Sequence, residues 1–196
     1  INVHYFAAGA SPFGDEAQGA YQYDGQAYIG RFEHVPNFQT CTDCHSAHEL
    51  EVKVEACGAC HQGVESAEDL HNIRLDPTDW DGDGDTDEGI AGDIDTMGEA
   101  LYAAMQAYAA DVIGTAIVYD SHSYPYFFTD TNEDGMPTPD EANYGNRYAT
   151  WTPALLRAAY NYQYAAKDPG GFAHNGKYIL QTLYDALEDI GGDTSG

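Results

Sequence analysis

Two short runs, Cys41-Thr42-Asp43-Cys44-His45 and Cys57-Gly58-Ala59-Cys60-His61, contain all four cysteines of the chain. Two thiols three positions apart reach the two vinyl groups of one porphyrin, and the next side chain then lies beneath the iron. Each run is therefore a haem-attachment signature. The expected cofactor is haem c, two copies, with thioether bonds at Cys41, Cys44, Cys57 and Cys60 and with His45 and His61 as proximal iron ligands. A four-cysteine zinc site usually separates its pairs by more than the twelve residues between Cys44 and Cys57, and it gives no reason for a histidine after each pair. A thioredoxin-like redox pair needs a strand-to-helix context that neither run has. Haem attachment occurs outside the cytoplasm, so an extracellular, cell-surface or periplasmic location is expected. The short spacer also puts the two porphyrins close enough for fast electron exchange.

Six histidines remain for two distal positions: His4, His34, His48, His71, His122 and His174. A histidine picked blindly is more often a solvated or hydrogen-bonded side chain than a ligand. Eight histidines beside seven Lys plus Arg are nevertheless a surplus, and haem iron is the consumer at hand. His48, three residues after His45, points away from its own haem and toward a neighbouring one. His34 lies in Phe32-Glu33-His34-Val35-Pro36, where Pro36 sets the chain direction, and ligation and a structural role stand level for it. His174 opens the last helix, a rigid mount. His122 lies among Tyr119, Tyr124, Tyr126, Phe127 and Phe128, a surround apolar enough to line a haem pocket. His4, near the terminus, completes the distal candidates, whereas His71 reads as a surface residue. Met97 and Met105 fall at apolar helical spacing, which assigns them to core packing rather than to iron. Bis-histidine ligation with a low potential is the expectation.

A second chemistry is written in carboxylates. Asp130 to Glu141 matches the twelve-residue calcium loop: Asp130, Asn132 and Asp134 at positions one, three and five, Gly135 at the sharp turn, the Met136 carbonyl at seven, Thr138 at nine and bidentate Glu141 at twelve. The earlier stretch with Asp79, Asp81, Asp83 and Asp85 begins the same way, but Ile90 stands where the terminal Glu belongs, so Glu88 has to close a shortened loop. A solvated acidic loop is the alternative there, set against the mutual repulsion of so many neighbouring carboxylates without a cation. These calcium ions are expected to be structural.

The elements that must carry these groups follow from the rest of the chain. Its 196 residues suit one domain able to bury a core, read as residues 1–30 with an N-terminal hairpin, 31–75 binding haem, and 76–196 helical with the calcium loops. The fold class is mainly α with much irregular backbone, a small β-hairpin and a C-terminal antiparallel helix pair. Tyr21 to Tyr28 reads as the hairpin, turning at Asp24-Gly25. Ile94, Met97, Leu101, Met105 and Tyr108 give a helix over about Gly92–Ala110. Thr115 to Phe128 is extended and broken by Pro125. Thr152 as N-cap with Pro153 at the first position starts a second helix that ends before Asp168-Pro169. A third, about His174 to Ile190, stops at Gly191-Gly192 and packs on the second. Thirty-three acidic residues and a formal charge of −26 argue against nucleic acid or an anionic membrane surface as a partner and toward cationic partners or divalent metals. No apolar run is long enough to cross a bilayer. The start at Ile1 leaves a removed leader and a longer parent chain both open.

Several further runs carry a resemblance: His4-Tyr5-Phe6-Ala7-Ala8-Gly9-Ala10, Phe32-Glu33-His34-Val35-Pro36, the paired haem motifs followed by Glu68-Asp69-Leu70, Asn143-Tyr144-Gly145-Asn146-Arg147, Leu155 to Tyr164, Asp168-Pro169 and Ala173-His174-Asn175. On these the chain resembles the C-terminal portion of large multihaem c-type cytochromes from bacteria that respire extracellularly or anaerobically, over nearly its whole length. The resemblance implies a multihaem cytochrome architecture, bis-histidine haems and electron transfer. Histidines such as His4 would then serve haems elsewhere, on another copy or another chain. The expected partners are redox proteins or further copies of the chain, as a homo-oligomer or filament. A small reductase with one open iron position and a calcium-organised adhesin are the competing classes.

Overall fold

Gly89 caps the start of the first long helix, and Gly114, at φ 78°, stops the chain just beyond its end. Between them Met97, Leu101 and Met105, four residues apart, line one buried stripe, the spacing at which side chains stack on a single helical face. The computed structural model describes residue 3 and residues 7–194. Its α-helices are α1 (Cys41–Cys44), α2 (Val54–Gly58), α3 (Ile90–Tyr108), α4 (Pro153–Ala166) and α5 (Gly171–Asp189). Two strands, β1 (Ile117–Tyr119) and β2 (Phe127–Thr129), lie between α3 and α4. The chain is mainly helical with one small antiparallel sheet.

The core is a three-helix bundle in which α5 packs on both α3 and α4. Helix α4 begins at Pro153, with the Thr152 hydroxyl accepting the Leu155 N–H at 3.2 Å. It turns Leu155, Ala158, Ala159 and Tyr164 inward against Tyr178, Ile179, Leu183, Ala186 and Leu187 of α5. Arg157 near the start of α4 pairs with Asp189 at the end of α5 at 2.7 Å, which fixes the two helices antiparallel. The expected start of α5 at His174 moves to Gly171, and Asn175 interrupts the helix with extended backbone (φ −170°, ψ 71°). Its side-chain oxygen accepts the Tyr178 N–H at 3.4 Å. Asn175 thus acts as an internal N-cap, and His174 rides on a separate first turn.

The small sheet is not at Tyr21–Tyr28. Asp24-Gly25 does turn the chain, with Gly25 at φ 88°, but no ladder forms there. Side chains of the helix pair take the backbone groups a hairpin would have paired: Asn161 bonds both the N–H and the carbonyl of Tyr21, at 2.7 and 3.0 Å, and Gln181 bonds Ile29 N–H and Ala27 carbonyl, at 2.9 and 3.2 Å. The strands instead lie in the stretch read as extended, with Val118 opposite Phe128, and they set Ile117 and Phe127 in the core.

Residues 21–88 contrast with this bundle, since Val64 is the single buried residue among them. Local bonds hold the segment: Ser46 N–H to Glu51 carbonyl, Lys53 N–H to Cys44 carbonyl and the Lys53 ammonium to Thr42 carbonyl, at 2.8, 2.8 and 2.6 Å. It rejoins the bundle where a Cβ on Gly89 would stand 1.8 Å from the His71 carbonyl, so glycine is required at that crossing. All seven basic side chains are engaged within the chain. Arg31 meets Glu33, Lys53 meets Thr42, Arg74 meets Asp93, Arg147 covers Tyr144, Arg157 meets Asp189, Lys167 covers Tyr126 and Lys177 meets Asp76.

Candidate functional site

The first Cys-x-x-Cys-His run folds as a single helical turn, α1, which brings residues three apart onto one face, while the second straddles the end of α2, with Cys57 and Gly58 in the helix and Ala59 to His61 in the turn after it. Asp43 closes a capping box on α1, accepting Thr40 N–H at 2.8 Å, and this bond holds its carboxyl below the ordinary range. His45 then leaves the helix in extended conformation, its N–H still on the Cys41 carbonyl at 2.8 Å. In the second run the Cys57 carbonyl takes the N–H groups of Cys60 and His61, at 3.1 and 2.9 Å. The four thiols are unbridged, and burial pushes the Cys44 thiol up.

The structure faces each motif histidine with another. The rings of His45 and His174 lie 6.3 Å apart between centroids, and those of His61 and His34 lie 6.0 Å apart. Two metal–imidazole bonds of about 2 Å, with ~1 Å from each coordinating nitrogen to its ring centre, separate two such rings by about 6 Å across one metal ion. Hydrogen bonds orient the first pair. His45 Nδ1 donates to the Leu50 carbonyl at 2.9 Å and His174 Nδ1 to Asp168 Oδ1 at 2.7 Å, leaving each Nε2 for a metal. His34 comes from the extended approach to α1, its ring 6.4 Å from Phe32 and 6.3 Å from Phe38. Leu50, whose carbonyl holds His45, is 71% exposed, which is surface that a flat apolar group would cover. Four thiols and two facing imidazole pairs fit two haems.

The remaining named histidines go elsewhere. His48 is exposed. His122 has a side chain 92% exposed, with Asp120 at 3.4 Å and Ser121 at 3.2 Å, while the aromatic residues around it in sequence pack on one another. His71 lies against Phe172, rings 4.5 Å apart. His4 falls outside the described residues. Met97 and Met105 are buried in the bundle.

The chain is similar to C-type polyheme cytochromes. Two curated relatives from Geobacter sulfurreducens, C-type polyheme cytochrome OmcB and C-type polyheme cytochrome OmcC, are each 25% identical to it over 97% of its length. The chain spans about a quarter of these relatives, 27% and 26% of their lengths. Neither a family model nor a solved structure matches it. No helix among the described residues is long and apolar enough to cross a membrane.

In the acidic stretch from Asp79, a succession of turns is built from aspartates. Asp79 accepts the N–H groups of Gly82 and Gly84 at 2.7 and 2.9 Å, Asp83 that of Asp85 at 2.7 Å, and Asp85 that of Asp87 at 2.8 Å. Carboxylate oxygens converge here, those of Asp79, Asp81 and Asp93 lying within 4.8 Å of one another, and likewise those of Asp81, Asp83 and Glu88. Burial, then the neighbouring carboxylates, pushes the Glu88 carboxyl up. In the second loop Asp130 accepts Glu133 and Gly135 N–H at 2.7 and 2.8 Å, Asn132 accepts Asp134 N–H at 3.1 Å, and Asp134 accepts Met136 N–H at 2.9 Å. Gly135 has φ 76°. Glu141 is buried and grips the hydroxyls of Thr131 and Thr138, each at 2.8 Å, bonds that hold its carboxyl at about 2.

Two residues at these places carry little sequence signal. Asp93 is fully buried at the start of α3 and bonded to the Arg74 guanidinium. Its one clue is its position four residues before Met97 on the apolar stripe. Asp168 precedes α4's partner helix in a Pro-Gly-Gly turn, and only the folded link reveals its contact with His174.

Proposed function

We propose that this chain is a dihaem c-type cytochrome unit that relays electrons outside the cytoplasm. The carrying observation is that each motif histidine faces a second imidazole at about the distance needed to share one metal ion. Cys41 and Cys44 would hold one haem with His45 below and His174 above, and Cys57 and Cys60 the other with His61 and His34. When bound, each group supplies a one-electron iron couple. His174 stands on the helix bundle and His34 on the approach to α1, so this chain would itself supply the second histidine of each iron. An iron held by two histidines would have no place for a substrate, which favours electron carriage over a reductase, and two imidazoles would favour a low potential.

The similarity to cytochromes named polyheme supports the haem reading and an extracellular or cell-surface setting. His48, His122 and His4 remain for haems outside this segment, on another copy or another chain, as in a filament. The two acidic loops would hold structural calcium: Asp130, Asn132, Asp134, the Met136 carbonyl, Thr138 and Glu141 in one, and Asp79, Asp81, Asp83, Asp85 and Glu88 with Asp93 in the other. Hard carboxylates and a carbonyl are the donors that calcium takes.

His174→Ala and His34→Ala, each in the haem-loaded chain, test the assignment by low-temperature paramagnetic resonance. Each variant should convert one of two low-spin irons to high-spin and admit carbon monoxide there. A wild-type protein that already binds carbon monoxide at one iron would favour the reductase. Unchanged low-spin spectra in both variants would remove the ligand assignment.

A further inference from the structure

The link between α4 and α5 buries a carboxylate whose surroundings do little to neutralise it. The Asp168 side chain is fully buried. Its Oδ1 accepts the His174 Nδ1–H at 2.7 Å, and its Oδ2, also shielded, meets no donor among the described residues. A charged group taken from water into such a place is costly unless it is paired. Among the described residues its side-chain hydrogen-bond partner is an imidazole. The same ring is fixed from a second direction: it lies over Gly170, where even a Cβ would come within 2.8 Å of its Cε1. The acceptor opposite, on His45 Nδ1, is of another kind, the neutral Leu50 carbonyl at 2.9 Å.

We propose that Asp168 is a positioning residue. It locks His174 in the tautomer that carries its proton on Nδ1, aims Nε2 into the space shared with His45, and draws on that proton so that the imidazole becomes a stronger electron donor. This rests on the reading of His174 as an iron ligand. A histidine ligand that hydrogen-bonds a carboxylate is more basic than one that bonds a carbonyl, and a more basic axial ligand favours the oxidised iron. Asp168 therefore sets the iron at Cys41 and Cys44 at a lower potential than it would have beside a neutral acceptor.

The isosteric Asp168→Asn, made in the full haem-loaded chain, separates this role from packing. Expected are two retained haems, both low-spin, with the midpoint potential of one raised and that of the other unmoved. A folded, fully loaded D168N with both potentials unchanged overturns the proposal. The His174→Ala variant keeps the two layers apart. If it leaves both irons low-spin, the ligand reading fails. If it turns one iron high-spin while D168N shifts nothing, the role of Asp168 alone fails. Should D168N not fold, nitrogen-15 histidine resonances of the wild-type protein decide: one axial imidazole with a slowly exchanging, strongly hydrogen-bonded Nδ1–H supports the proposal, and its absence from all axial imidazoles overturns it.

Discussion

Arg74 and Asp93 form an ion pair at the mouth of the first acidic loop, their side chains 9% and 0% exposed. Burial pushes the Asp93 carboxyl up while Arg74 pulls it down. The guanidinium also bonds the Glu88 and Thr78 carbonyls, at 2.6 and 2.5 Å, so it splints the loop as well as balancing the charge. Removing one partner of such a pair strands the other and costs about 3–5 kcal/mol. Arg74→Met should lose about that much in a chelator, and less in calcium, where a cation shared by Asp79, Asp81 and Asp93 takes over the compensation. Thermal unfolding in both conditions measures the difference. An equal loss in both would argue against a cation there. The cysteine-histidine runs are legible at sight, because their chemistry is local. The closeness of His34 to His61 and of His174 to His45 is not legible in the sequence, since it depends on where α5 and the 31–36 stretch meet the motifs.

Helix α4 shows how far local signals reach. Thr152 and Pro153 mark its start in the sequence, and the structure adds that the Thr152 hydroxyl also donates to the Tyr108 hydroxyl at 3.4 Å, tying the end of α3 to the beginning of α4. Thr152→Ala should cost about 1–2 kcal/mol, the upper part of the range for a lost cap. For a chain of this size that lowers the melting temperature by about 2–8 °C, since each kcal/mol moves it by about 2–4 °C. Differential scanning calorimetry reads this, and an unchanged midpoint would mean the cap is idle. The Tyr21–Tyr28 segment is the opposite case. Its alternating tyrosines have the pattern of strands, yet their backbone partners, Asn161 and Gln181, lie more than a hundred residues away, and no pattern within the segment announces them. The start of α5 escaped for a related reason: Asn175 looks like an ordinary helical residue until its oxygen is seen capping Tyr178.

Across the whole molecule, burial pushes up the phenol pKa of eight described tyrosines, Tyr23, Tyr28, Tyr102, Tyr119, Tyr148, Tyr162, Tyr164 and Tyr178. Tyr164 reaches about 12 from 10.0. A raised phenol keeps its proton in the folded chain while the unfolded chain releases it, so the stability is intact below pH 10 and drains away as the pH climbs past it. Each tyrosine contributes up to about 1.4 kcal/mol per pH unit in that window, and eight acting together should unfold the bundle sharply. A pH titration following tyrosinate absorbance and helical circular dichroism should show one joint transition above pH 10. Gradual ionisation with the helices intact would contradict it. The scarcity of lysine and arginine has a consequence of its own. With seven Lys plus Arg against 33 acidic residues, two copies meet as like-charged colloids whose repulsion reaches about 10 Å at 0.1 M salt. Assembly of such particles is governed by the counter-ions around them: it is held back in dilute buffer and released as the ionic atmosphere thickens or divalent ions condense between the surfaces.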